Sequence, residues 1–191
     1  TVNGKKVGDH TGGYDPFSVN ISNFIDRAEE NELVVIVHDP TDAGGQPRGK
    51  QVLKPEGIWY TPSSGIWQTV WIEPVPRQHI ESVHVRADVN GHRIVAELQT
   101  GFGKGSLATM EVSSNGVVIG RDVPQPGSPM VVSVPNPRLW TPSDPFLYDV
   151  TLTSIDPEGG KDVVRTYVGM RDVRIGPDKA GVQRILLNGE P

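Results

Sequence analysis

The residues best suited to chemistry in this chain are aromatic side chains that lie close together in the sequence. Trp59, Tyr60, Trp67 and Trp71 fall within thirteen residues. Aromatic rings stack on the apolar C–H faces of sugars, so exposed ones would suit a carbohydrate site. Trp59 and Tyr60 precede a Pro-Ser-Ser-Gly turn and are the better ligand candidates. Trp67 and Trp71 belong to a predicted strand, and we expect them to be structural.

A cluster of polar residues surrounds a glycine turn at Asp9–Tyr14, with the sequence DHTGGY. The simpler interpretation is that His10 braces this loop through hydrogen bonds. His10 and Tyr14 are nevertheless kept as candidate substrate contacts beside the two aromatic candidates. None of the five histidines shows the spacing of metal ligands, so the sequence predicts neither a metal site nor a cofactor.

The carboxylates show no catalytic pattern. General acid–base chemistry on a glycoside needs two carboxylates about 5–10 Å apart across a sugar. The acids here are scattered over predicted turns and strand ends, so no catalytic residue is assigned. Gly101–Gly105 (GFGKG) resembles a phosphate loop only superficially, because the next predicted element is a strand and not a helix.

Composition narrows the class of protein. The net charge is −5 and there is no basic block, which argues against nucleic acid as a partner. The chain has no cysteine for disulfides and no apolar run long enough to span a membrane. The N-terminus lacks signal-peptide features and both ends are abrupt, so we expect a fragment of a longer protein. The localisation therefore stays open.

The chain divides near Pro74-Val75-Pro76. Before this break, Asn31–Asp39 and Gly65–Glu73 are predicted strands, and Ser22 could cap a single helical turn. The polar segment Pro40–Pro55 between the strands is typical of a functional or disordered loop.

Beyond the break, about seven short strands and no helix predict an immunoglobulin-like sandwich. The hairpin turns are expected at Asn90-Gly91 and Asn115-Gly116. The predicted strands are Ile80–Val89, His92–Thr100, Leu107–Ser113, Val117–Val123, Met130–Val134, Phe146–Ile155 and Asp162–Val168. Two further apolar pieces, Val173–Ile175 and Arg184–Leu187, follow the sandwich.

Six segments, in the same order along the whole chain, resemble glycoside hydrolase family 2, which contains β-galactosidases, β-glucuronidases and β-mannosidases. The most specific is Ser64–Pro74 (SGIWQTVWIEP), which is similar to the last strand of the family's sugar-binding jelly-roll domain. The others are Val2–Phe17, Asn31–Asp39, Leu139–Tyr148, Tyr167–Arg171 and Leu186–Pro191.

The resemblance implies an all-β chain. Its expected parts are the C-terminal portion of a jelly roll (1–76), an immunoglobulin-like β-sandwich (77–176) and the lead-in to a (β/α)8 catalytic barrel (177–191). It also implies a retaining exo-β-glycosidase whose two catalytic glutamates lie in the barrel, so this chain alone should be inactive. The implied partners are a terminal β-linked sugar, the enzyme's own barrel and further copies of the enzyme, with neither nucleic acid nor membrane.

One position departs from the family pattern. Galactosidases and glucuronidases of the family carry an acidic residue six positions before the glycine of the "GI" motif, and that position is Trp59 here. We expect Trp59 to stack on sugar at the rim of the active site. Two alternatives remain open: a free-standing carbohydrate-binding module with Trp59 and Tyr60 as its platform, and a structural or adhesive sandwich. Because a partial jelly roll leaves sheet edges open, residues 1–76 should be partly disordered or completed by another copy.

Overall fold

The computed structural model describes residues 1–100, 107–125 and 127–191 and divides the chain into two compact units, Thr1–Ile72 and Glu73–Pro191. The glycine-rich segment Gly101–Gly105 lies outside the described residues. Regular secondary structure within the described residues consists of strands, which confirms the all-β fold class. The strands are β1 (Ile80–Asp88), β2 (Arg93–Thr100), β3 (Leu107–Ser114), β4 (Val117–Asp122), β5 (Met130–Ser133), β6 (Tyr148–Ile155), β7 (Lys161–Val168), β8 (Val173–Pro177) and β9 (Gln183–Leu187).

The second unit is a sandwich of two antiparallel sheets. One sheet has the order β1-β2-β5 and the other the order β4-β3-β6-β7. Each strand turns alternate side chains inward, so the apolar residues of both sheets meet in one core. This arrangement is the predicted immunoglobulin-like sandwich.

The core contains the residues that alternation in the sequence assigned to it. Ile94 and Ala96 of β2 are buried, as are Tyr148, Val150 and Leu152 of β6. The facing side chains of β1 pack against the same cluster. The strand predictions for this unit are therefore confirmed to within about two residues at each end.

Of the two predicted hairpin turns, one is confirmed and one is shifted. Asn115 and Gly116 both have positive φ, at 49° and 78°, as a two-residue turn requires. The first turn is longer, and its left-handed residue is His92 (φ 51°) rather than Asn90 or Gly91. The carboxylate of Asp88 accepts a hydrogen bond from Gly91 N at 2.8 Å and so fixes this wider loop.

Strands β8 and β9 form a separate antiparallel hairpin that Asn188 ties to the sandwich. The Asn188 side chain accepts a hydrogen bond from Asp172 N at 2.9 Å and donates one to Trp140 O at 3.0 Å. The outer face of the hairpin is apolar and exposed, with Val173, Ile175 and Ile185 side by side.

The first unit corrects three local predictions. Asn31–Asp39 and Gly65–Glu73 are not strands; the first contributes a single bridge, between Leu33 and Val2. Both segments are largely exposed, with Ile36 at 84% and Trp71 at 70%. The expected helical turn at Ser22 is a hydrogen-bonded turn without a helix. A β-branched run becomes a strand only when a neighbouring strand satisfies its backbone groups, and local sequence cannot supply that neighbour.

Side-chain hydrogen bonds, rather than a sheet, hold the start of this unit together. The Asn31 carbonyl oxygen accepts hydrogen bonds from Asp26 N at 2.7 Å and from the Asn3 amide at 2.8 Å. The Asn31 amide donates to Asp26 O at 2.7 Å. Asn31 therefore joins the turn before it to the N-terminal segment.

Candidate functional site

Trp59 lines an open hollow of about 420 Å³ in the first unit. Its side chain is 40% exposed, which leaves part of the indole free for a ligand. Two backbone contacts shape the hollow: Trp59 N donates to Glu56 O at 3.1 Å, and Leu53 N donates to a carboxylate oxygen of Asp42 at 3.2 Å. The remaining lining residues are Val52 and Lys54.

The hollow combines an aromatic ring with polar groups that can bind hydroxyls. Asp42 and Glu56 contribute carboxylates, and Lys54 contributes an ammonium group. In the described part of the chain, none of these three side chains takes part in an ion pair. Carboxylates accept hydrogen bonds from sugar hydroxyls, and an indole face covers the apolar side of a pyranose.

Tyr60, the second aromatic candidate, lies beside this hollow and is not among its lining residues. Its backbone N donates to Lys50 O at 2.8 Å, and its carbonyl accepts from Val52 N at 3.2 Å. The Lys50 ammonium lies 5.7 Å from the centre of its ring, a cation–π distance. The Tyr60 side chain is 63% exposed, so it could still contact a ligand that extends beyond the hollow.

Tyr14 lines a smaller hollow of about 100 Å³, together with Asp39, Thr41, Pro47, Arg48 and Gln51. Asp39 accepts hydrogen bonds from the Ser64 hydroxyl at 2.7 Å and from Thr41 N at 2.8 Å. These bonds, the Ser64 one first, hold the pKa of Asp39 below its ordinary value of 3.8. Asp39 is therefore ionised at neutral pH.

Trp67 is exposed and contacts the glycine turn at Gly12-Gly13. Its indole N–H donates to Gly13 O at 2.7 Å, and its ring meets Tyr14 edge-on at 6.4 Å between centroids. Trp67 therefore supports this turn from the surface of the unit, and it is not buried in a strand.

His10 lines neither hollow. Its ring stacks on Phe17, with 4.4 Å between centroids and 10° between planes. The histidine therefore braces its loop by stacking and not by the hydrogen bonds that we expected. Of the four residues predicted as substrate contacts, the structure sets Trp59 and Tyr14 in hollows and leaves Tyr60 and His10 outside them.

The sequence did not identify the polar residues that line the larger hollow, namely Asp42, Lys54 and Glu56. Asp42 and Lys54 lie in the long segment Pro40–Pro55, which the sequence already marked as a functional or disordered loop. Nothing in the local pattern distinguishes Glu56 from the other surface acids, because its position depends on the turn that ends at Trp59.

No group of three or more histidine, aspartate or glutamate side chains among the described residues could hold a metal ion. No helix in that part of the chain is long and apolar enough to cross a membrane.

Some known proteins resemble this chain in sequence, and a solved structure resembles it in fold. The chain is 29% identical to a β-galactosidase of Thermoanaerobacter pseudethanolicus, over all of this chain and 26% of the relative. It is 24% identical to a β-glucuronidase of Paenibacillus borealis, over 99% of this chain and 33% of the relative. The structure of a β-D-glucuronidase of Dictyoglomus thermophilum matches the whole chain and 34% of its own length, with a TM-score of 0.65 and 19% identity, which is a likeness of fold.

The chain thus spans about a quarter to a third of the length of these relatives. A family-level match covers residues 69–171, more than half of the chain, and its description is Glycosyl hydrolases family 2. This chain belongs to family 2 of the glycosyl hydrolases.

Proposed function

We propose that this chain is the non-catalytic β-sandwich part of a longer exo-β-glycosidase. The parent enzyme hydrolyses terminal β-glycosidic bonds with retention, and its two catalytic glutamates lie in a barrel outside residues 1–191. The observation that carries the proposal is the family membership of a chain that spans a quarter to a third of its relatives. On this proposal the 191-residue chain is inactive by itself.

The proposed layout has three parts. Residues 1–76 form the C-terminal portion of a sugar-binding jelly roll, residues 77–176 an immunoglobulin-like sandwich, and residues 177–191 the lead-in to the barrel. The division of the chain between Ile72 and Glu73 supports the first boundary to within a few residues.

We expect the second unit to support the barrel through the hairpin β8–β9. Its outer face presents Val173, Ile175 and Ile185 to solvent, and an apolar face of this kind gains stability when another domain covers it. The Asn188 hydrogen bonds hold the hairpin against the sandwich. A barrel that packs on the hairpin would therefore be held in a fixed orientation relative to the sandwich.

In this proposal the first unit contributes to the mouth of the active site. Trp59 stacks on a sugar ring, and the carboxylates of Asp42 and Glu56 accept hydrogen bonds from its hydroxyls. Tyr14, Tyr60 and His10 stay as further candidate contacts around this rim. These residues bind and orient the substrate; bond cleavage belongs to the barrel.

The first experiment compares the full-length enzyme with this chain on a panel of nitrophenyl β-glycosides. We expect activity in the long form and none in the short one. Activity of the short form would contradict the proposed location of the catalytic glutamates.

A variant tests the role of Trp59 in the full-length enzyme. We expect Trp59→Ala to lower kcat/KM about 2- to 12-fold, mainly through KM, because aromatic stacking contributes about 0.5–1.5 kcal/mol. Tyr167→Ala, an exposed aromatic of β7, is the matched control and should change neither constant. If Trp59→Ala also left kcat and KM unchanged, the stacking role would be wrong.

A free-standing carbohydrate-binding module is the second candidate. It is favoured by the fact that all lining residues of the larger hollow come from 42–59, so the hollow needs no other domain. Sugar binding by this chain, combined with an inactive full-length protein, would support the module instead of the enzyme.

A further inference from the structure

Asparagine followed by glycine occurs four times in this chain, at Asn3, Asn90, Asn115 and Asn188. Such a pair is chemically labile, because glycine has no side chain to hinder attack by its backbone nitrogen on the side-chain carbonyl carbon of the asparagine. In that step the glycine N–H loses its proton, a new N–C bond closes a succinimide ring, and the side-chain amide leaves as ammonia. Water then opens the ring to aspartate or isoaspartate. The reaction therefore needs a side-chain amide that can move and a glycine N–H that is not held elsewhere.

Three of the four pairs share one backbone conformation. Asn3, Asn115 and Asn188 have φ of 50°, 49° and 53°, and the glycine after each asparagine also has positive φ. Each pair is a two-residue turn whose flanking residues are bridged to each other. Because backbone and local sequence are matched, differences in reactivity among the three must come from their side-chain contacts.

Two of these three asparagines are held by hydrogen bonds of their side chains. The Asn3 amide donates to Phe24 O at 2.9 Å and to the Asn31 side-chain oxygen at 2.8 Å. The Asn3 side-chain oxygen accepts a hydrogen bond from Glu32 N at 2.9 Å. Asn188 makes the two side-chain hydrogen bonds that tie the β8–β9 hairpin to the sandwich. Either side chain must break these bonds before its carbonyl carbon can reach the glycine nitrogen.

Asn115 is held by no such contact. Its side chain is exposed and makes no hydrogen bond or ion pair among the described residues. In the same part of the chain, Gly116 N donates no hydrogen bond. Both reacting groups are therefore available at the exposed end of the β3–β4 hairpin.

Asn90 and Asn136 each lack one of the two requirements. The Asn90 side chain is exposed, but Gly91 N donates to the carboxylate of Asp88 at 2.8 Å, and this negative charge opposes loss of the N–H proton. Asn136 has φ 54° and no side-chain hydrogen bond in the described chain. The next residue is Pro137, which has no N–H with which to attack.

We infer that Asn115-Gly116 is the Asn-Gly pair of this chain that deamidates first, and that the reaction alters the β3–β4 hairpin. Isoaspartate continues the chain through its side-chain carboxyl group, so it adds one backbone carbon and one negative charge to a turn of two residues. The pairing of β3 with β4 starts at this turn, between Ser114 and Val117. β4 is an edge strand whose hydrogen-bonded neighbour is β3, so its amides should lose protection against hydrogen exchange.

The test incubates the 191-residue chain at mildly alkaline pH and follows each Asn-Gly pair by peptide mass spectrometry. We expect Asn115 to convert about tenfold faster than Asn3 and Asn188, because each of those must first break two or three hydrogen bonds. Asn90 should also convert more slowly than Asn115. In urea, where these hydrogen bonds are lost, the rates of the four pairs should converge.

A variant ties the modification to its consequence. Asn115→Gln removes the reactive pair, since glutamine closes the corresponding six-membered ring far more slowly. It should abolish the early release of ammonia and preserve the hydrogen-exchange protection of β4 during incubation. Asn136→Gln is the matched control and should change neither result. Conversion of Asn3 or Asn188 as fast as Asn115 in the folded chain, or conversion of Asn115 in urea alone, would overturn the inference.

Discussion

Tyr148 joins the core of the sandwich to the segment that precedes β6. Its ring is buried and meets Phe146 edge-on at 5.0 Å, while its hydroxyl accepts a hydrogen bond from Arg138 N at 2.8 Å. Tyr148→Phe keeps the packing and leaves that N–H without its partner, so we expect a loss of about 1–2 kcal/mol in the free energy of unfolding. Urea unfolding measures it, with Tyr167→Phe as the control. Equal losses in both variants would contradict the role of the hydroxyl.

Asp144 and Arg138 form a two-pronged ion pair in the same segment, with N–O distances of 2.5 and 2.8 Å. The Arg138 guanidinium holds the pKa of Asp144 below its ordinary value of 3.8. A carboxyl whose pKa is depressed by folding stabilises the protein above that ordinary value and loses the contribution as pH falls through the folded pKa.

We therefore expect Asp144→Asn to reduce the loss of stability that the native chain shows as the pH falls into the acid range. The thermal midpoint of the native chain should fall as pH drops from about 5 to below 3.8, and the variant should fall less. Asp149→Asn on β6, an exposed aspartate without an ion pair in the described chain, is the control. If the thermal midpoints of the native chain and of Asp144→Asn fell equally with pH, the ion pair would make no contribution to stability.

At the scale of single residues, the sequence suggested Trp59 as a candidate but did not indicate which side chains lie around it. Trp59 could be singled out because it replaces an acid in an otherwise recognisable motif. Asp42, Lys54 and Glu56 could not, because they meet through a loop and a turn whose path no local periodicity specifies. His10 shows the same limit, since its stacking partner Phe17 lies seven positions further along the chain.

Among the elements, the strands of the sandwich were predictable because each has its neighbours within the chain. β6, for example, pairs with β3 on one side and with β7 on the other. Its backbone groups are therefore hydrogen-bonded within the sheet, and its alternating pattern fixes which side chains face the core. Asn31–Asp39 has an equally strong β-branched pattern and makes a single bridge. Pattern strength therefore indicates what a segment could form, and the available partners decide whether it does.

Two side-chain hydrogen bonds of Asn188 help to attach the hairpin β8–β9 to the sandwich. Asn188 adopts φ 53° and makes two side-chain hydrogen bonds, whereas Asn136 adopts φ 54° and makes none in the described chain. Alanine at either position suffers the same left-handed backbone cost. The difference between the two variants therefore isolates the hydrogen bonds.

We expect Asn188→Ala to lose about 1–3 kcal/mol more than Asn136→Ala in the free energy that protects the amides of β8 and β9 from hydrogen exchange. The amides of β3 and β6 should change little in either variant. Equal loss of protection in the hairpin for the two variants would mean that Asn188 does not fasten it.

Over the whole molecule, burial is distributed very unequally. The buried core residues of the sandwich all lie in 73–191, and the buried apolar residue of the described first unit is Val2. Exposed apolar side chains in 1–72 include Ile36 and Trp71, the former on a run of five consecutive apolar residues, Leu33–Val37. Apolar surface on this scale favours association or covering by another domain.

The 191-residue chain should therefore self-associate as its concentration rises, and proteases should cut within 1–72 before they cut within 73–191. Light scattering after size exclusion measures the first effect, and mass analysis of timed digests the second. Ile36→Asp should weaken the association about tenfold, because it removes one large apolar side chain from the shared surface. Val117→Asp, which changes an exposed residue at the start of β4 in the second unit, should leave the association unchanged. A strict monomer whose residues 1–72 resist proteolysis would show that the first unit is complete without a partner, and the proposal of a partial jelly roll would then fail.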